Sequence, residues 1–172
     1  MMEEVTYAQI NGTLGSLLRL WSVIERQARA AVQSRDGSAK SCHGIAATLD
    51  LWQKVIVEDD DPGSLRPVLT RVLPTKLQPC LRTRNGLCHG LVAATAAQRE
   101  QPASLTWDLN GTRNTMTWDE LQSMFSWLSR VPRAMSMLER RPTLVLGCRL
   151  LINDENAQWW IREFDLDARM SA

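Results

Sequence analysis

Lysine is scarce in this chain: Lys40, Lys54 and Lys76 are three of 20 basic residues, the rest being arginine. With 19 acidic residues the formal net charge is only +1, which excludes a polybasic protein that coats nucleic acid over its whole surface. Any nucleic-acid contact must be local. Long apolar runs are missing too, and none approaches the ~20 residues of a membrane-crossing helix. Met1-Met2-Glu3-Glu4 lacks the basic start and apolar run of a secretory signal, so a cytoplasmic chain with no membrane partner is expected. The four cysteines (Cys42, Cys80, Cys88 and Cys148) are widely spread, and reduced thiols are the expected state. Two phenylalanines and one tyrosine stand against seven tryptophans. Most of these indoles fall where a helical or strand pattern wants an apolar residue, so they read as core or interface anchors rather than platforms for bases.

What is present is mainly helical periodicity. Leu14, Leu17, Leu18, Trp21, Ile24, Ala28 and Ala31 recur at three- and four-residue spacing, predicting a helix over about 5–32. Ile45, Leu49, Trp52, Val55 and Ile56 predict a second over about 43–57, broken by Glu58-Asp59-Asp60-Asp61-Pro62-Gly63. A short helix over about 64–73 ending near Pro74, and a longer one over about 76–98, follow. Beyond Pro102 the period changes to two: Leu105, Trp107 and Leu109 alternate with polar residues, and Asn110-Gly111 supplies a tight hairpin turn. Thr117-Trp118-Asp119-Glu120 has the form of a capping box, with Met116 and Leu121 placed as its hydrophobic staple. A long helix with Leu121, Met124, Phe125, Leu128, Val131, Met135 and Leu138 inside is then expected, bent at Pro132. Residues 143–152 read as an apolar extended segment. A last helix starts near Asn153-Asp154-Glu155 and turns Trp160, Ile161 and Phe164 inward.

The chemistry-bearing segment is Arg84-Asn85-Gly86-Leu87-Cys88-His89. On a helical wheel advancing about 100° per residue, Leu77, Leu81, Cys88, Leu91 and Thr95 lie within about 60° of Arg84. Arg84 thus sits in the middle of the face expected to be buried. An unpaired guanidinium there is costly, so it needs a carboxylate, a phosphate or a water-filled cleft, and Glu25 is one candidate partner. Asn85 and His89 are one turn apart and share a second face, about 100–140° from Arg84. Gly86 and Gly90 lie beside it. Glycine inside a helix costs up to about 1 kcal/mol, so the pair implies close approach of a second backbone or of a ligand.

Arg84-Asn85-Gly86-Leu87-Cys88-His89-Gly90 resembles the signature of HEPN domains, an arginine and a polar residue followed by a few residues and a histidine. The resemblance implies an all-α fold: a HEPN-like helical bundle in a single domain over residues 1–172, here with a β-hairpin inserted at about 104–117. It further implies a homodimer whose paired motifs cut RNA without metal or other cofactor, as a toxin or defence component does, with a cognate antitoxin as a further partner. Under it, His89 is the general acid/base, Arg84 stabilises phosphoryl charge, and Asn85 orients His89 or binds a phosphate oxygen. Those roles suit the side chains, because imidazole titrates near neutrality and guanidinium pairs with phosphoryl oxygens in two-pronged fashion.

Two other readings compete. A non-catalytic HEPN module that binds a nucleotide or serves as a dimerisation adaptor fits the overall neutrality and scarce lysine. A metal site would use Cys42-His43, Cys88-His89 and Cys80, but adjacent helical residues point about 100° apart and the paired spacing of zinc sites is missing. Cys88, on the expected apolar face, reads as a small core residue rather than a nucleophile.

Overall fold

The computed structural model describes residues 5–36, 44–58, 66–98, 101–139 and 154–164. Its elements in chain order are α1 (Tyr7–Asp36), α2 (Ile45–Glu58), α3 (Arg66–His89), β1 (Leu91–Thr95), β2 (Ser104–Leu109), β3 (Thr112–Thr117), α4 (Trp118–Leu128), α5 (Val131–Glu139) and α6 (Asp154–Phe164). Helix dominates, and the strands form one antiparallel sheet in the order β1-β2-β3. No helix among the described residues is long and apolar enough to cross a membrane.

Two compact units emerge, one drawn from residues 1–22 and 77–129, the other from 23–76 and 130–172. In the first, Ile10, Leu17 and Trp21 of α1, Leu77 and Leu81 of α3, Leu105 and Trp107 of β2, and Leu121 and Leu128 of α4 are buried. Burial of such side chains contributes roughly 1.5–3 kcal/mol each, the main driving force for assembly. In the second, Ile24 and Ala28 of α1, Trp52 and Ile56 of α2, Leu69 and Leu73 of α3, Met135 and Leu138 of α5, and Trp160 and Phe164 of α6 are buried. Trp21, Trp52, Trp107, Trp159 and Trp160 are all core residues, and Trp118 and Trp127 are half-buried, so the indoles serve packing as their spacing predicts.

The hairpin lies where alternation places it. Asn110 and Gly111 both take positive φ, 52° and 76°, the handedness a two-residue turn needs to match strand twist. Leu109 pairs with Thr112 across the turn, and the register runs back to Ser104 opposite Thr117. Thr117 caps α4: its hydroxyl accepts from the Glu120 N–H at 3.3 Å, and the Glu120 carboxylate accepts from the Thr117 N–H at 2.7 Å. The capping box is complete.

Three expectations change. The all-α fold with an inserted hairpin becomes a helical protein with a three-stranded sheet, because the helix expected to reach residue 98 stops at His89 and Leu91–Thr95 pairs with β2. Its small apolar residues fit a helix by propensity, but inter-strand hydrogen bonds to β2 decide otherwise. The break expected near Pro74 does not occur; α3 runs through both Pro74 and Pro79. Pro74 is buried, so packing overrides the lost N–H, and the Thr75 hydroxyl donates to the Arg71 carbonyl at 3.2 Å. Finally, the long helix bent at Pro132 is two helices, with Pro132 in the first turn of α5, where its missing N–H is harmless. Residues 143–152, expected to be extended, lie outside the described residues.

Candidate functional site

Arg84, Asn85 and His89 all stand on the last two turns of α3. What ends the helix there is the chain's own sheet. The Gly90 N–H closes the last helical bond onto the Gly86 carbonyl at 2.8 Å, and the Gly90 carbonyl then accepts from the Asp108 N–H of β2 at 2.9 Å. Leu91 pairs with Trp107 and Ala93 with Thr106, so Val92 is the extra residue of a bulge. His89 is thereby held at the helix-to-strand corner.

The glycine pair finds its reason here. A methyl group on Gly86 would collide with the indole of Trp107, and one on Gly90 with the backbone carbonyl of Asp108. The close approach expected of a second backbone or a ligand is made by β2 of the same chain. This contact also turns the buried side of the helix. Gly86 and Leu87 are buried, whereas Cys88, expected in the core, is exposed. Leu91 and Thr95, expected on the Arg84 face, belong to β1, and Leu91 is 43% exposed.

Arg84 is half-buried, and its Nη1 donates to Asn85 Oδ1 at 2.9 Å. Its Nε is buried without a hydrogen-bond acceptor, and it makes no ion pair among the described residues. Glu25, the candidate carboxylate, instead pairs with Arg29 one turn along α1 at 2.8 Å. Asn85 is half-buried, and its side-chain oxygen is the acceptor of that Arg84 bond. His89 is exposed, on the C-terminal turn of α3.

Asp108 and Arg113 form a two-pronged pair across the hairpin at 3.0 and 3.1 Å. Arg113 beside it holds the Asp108 carboxyl below the usual range. Asp108 and Trp107 are the residues that sequence reasoning missed as shapers of this corner. Only their alternation in the hairpin was visible, since what they cover is set by the β1–β2 register.

For metal chemistry, no group of three or more histidine, cysteine or acidic side chains gathers among the described residues. Cys42 and His43 lie outside them. Burial pushes the Cys80 thiol up, away from the thiolate that would ligate or attack. No protein-family model, curated protein or solved structure matches this chain.

Proposed function

We propose that this chain is a metal-independent endoribonuclease of the HEPN type, acting as a toxin or defence component, with Arg84, Asn85 and His89 as its site. The observation that supports it most is a half-buried guanidinium whose Nε has no acceptor and which makes no ion pair among the described residues, with an exposed imidazole five residues on at the same helix end. Such an arginine is poised for an oxyanion, and phosphate fits its fork.

In this reading neutral His89 takes the proton of a ribose 2′-hydroxyl, and the 2′-oxygen attacks the adjacent phosphorus. Arg84 donates to the non-bridging oxygens as charge builds there, in the geometry that Asn85 holds. The bond to the 5′-oxygen breaks, and a second imidazole returns a proton to it. The second imidazole is His89 of another copy in a homodimer, as the HEPN resemblance implies. Gly86 and Gly90 are already covered by β2, so a second copy has to approach from the open side bearing Asn85 and His89. Products are a 2′,3′-cyclic phosphate and a 5′-hydroxyl.

The test compares cleavage of single-stranded RNA by wild type and His89→Ala in excess chelator, with the product ends analysed. Cleavage by wild type alone, leaving cyclic phosphate ends, is expected; equal activity of the two proteins removes His89 from the chemistry.

A second reading, a HEPN module that binds a nucleotide or acts as an adaptor without turnover, is favoured by the net charge of only +1 and the scarcity of lysine. It predicts nucleotide binding that is lost in Arg84→Ala, with no RNA cleavage by wild type.

A further inference from the structure

A second basic site lies within the other unit, where the start of α5 meets α6. Arg130 Nε reaches Glu163 Oε2 at 3.0 Å, and Arg162 Nε reaches Glu163 Oε1 at 2.8 Å. Arg133 lies over the indole of Trp159, 5.1 Å from the ring centroid. Hydrogen bonding from Arg162 and the charges of Arg130, Arg162 and Arg133 hold the Glu163 carboxyl below its ordinary range, so it is ionised at neutral pH. Among the described residues, the Glu163 carboxylate thus pairs with Arg130 and Arg162 and lies within electrostatic reach of Arg133. Arg133 is exposed and makes no ion pair among the described residues. The Arg162 side chain is 70% exposed, while that of Glu163 is 17% exposed, so the cations face outward and the anion lies beneath them.

The kind of ligand follows from what is on offer. Trp159 is buried, with Arg133 over its face, so it is not a platform for a base. What the patch presents is guanidinium N–H edges in planar forks, which match phosphate oxygens rather than base edges. A chain of net charge +1 that acts on RNA needs such a local foothold.

We propose that Arg133 and Arg162, steadied by Trp159 and Glu163 and flanked by Arg130, grip the phosphodiester backbone of single-stranded RNA without regard to sequence. This rests on the ribonuclease reading for the identity of the polymer, and on the patch itself for the phosphate chemistry.

The experiment measures binding of a fluorescent single-stranded RNA of about 20 nucleotides across a salt series. It uses the His89→Ala protein, so that the RNA stays intact, with and without Arg133→Gln plus Arg162→Gln. The double substitution is expected to weaken binding roughly tenfold, equally for unrelated sequences, and to flatten the salt slope by about 1.4, two contacts at about 0.7 each. Should the double variant melt early, Arg162→Glu alone, at an exposed position, is expected to weaken binding by several-fold. Binding and slope unchanged in a folded variant overturn the patch and leave the Arg84–His89 reading standing. Weakened binding, with equal RNA cleavage by wild type and His89→Ala, keeps the patch and removes that reading. No RNA binding by the parent protein overturns the patch as an RNA foothold. Equal competition by polyglutamate shows a general anion surface and overturns the phosphate assignment.

Discussion

The indole of Trp107 lies against Gly86 so closely that no side chain fits beneath it. One strand residue thereby specifies a glycine inside a helix, and the contact fixes where the helix turns into β1.

Gly86→Ala is therefore expected to destabilise the protein by about 1–2 kcal/mol. Overpacking costs roughly 1–3 kcal/mol, and a better helix propensity returns up to about 1. Urea unfolding measures the loss. In a Trp107→Leu background, which opens the space, the same substitution should be neutral or stabilising. Equal effects in both backgrounds would show that the indole contact is not the cause.

The Arg84–Asn85 hydrogen bond predicts a split between two variants. Under the ribonuclease reading, Asn85→Ala releases the guanidinium and lowers kcat by roughly 10- to 100-fold with little change in KM. Asn85→Asp keeps an acceptor but offsets the cation, so it should lower kcat at least as far. Both proteins should melt within a few degrees of wild type. Unchanged kcat in either variant removes Asn85 as the positioning residue for Arg84.

Acid sensitivity follows from the capping box. Hydrogen bonds from the Thr117 backbone and hydroxyl hold the Glu120 carboxyl below its ordinary 4.5. A depressed folded value means stability that is fully present above the unfolded value and lost as pH falls through the folded one. Wild type should therefore exceed Glu120→Gln in stability at neutral pH, with the gap closing progressively below pH 4.5. Thr117→Ala, which removes the cap acceptor, should lose about 1 kcal/mol. Thermal melts of the three proteins between neutral and acid pH check both statements, and a gap that widens on acidification would contradict the first.

Much of the helical pattern and the whole hairpin were legible in the chain because their determinants are local. Asn110-Gly111 needs only its own φ angles, and Thr117 and Glu120 need only each other, so turn, register and cap can be read without any partner. The seven tryptophans were legible as anchors for the same reason, their period matching that of the element they occupy. Glu25 was not legible as the partner of Arg29, because an i, i+4 pair on one helix and a pairing between two helices leave the same apolar stripe.

Sequence by itself thus determined that the protein is mainly helical, where the hairpin turns, where α4 begins, and that Arg84, Asn85 and His89 stand together on one helix. Tertiary structure alone decided that this helix stops at His89, that residues 91–95 become a strand, that Cys88 faces outward and that Arg84 turns to Asn85. The physical reason is the same in each case. Local propensities along Gly90-Leu91-Val92-Ala93-Ala94 differ by no more than about 1 kcal/mol per residue, so packing of Trp107 on Gly86 and the hydrogen bonds to β2 outweigh them.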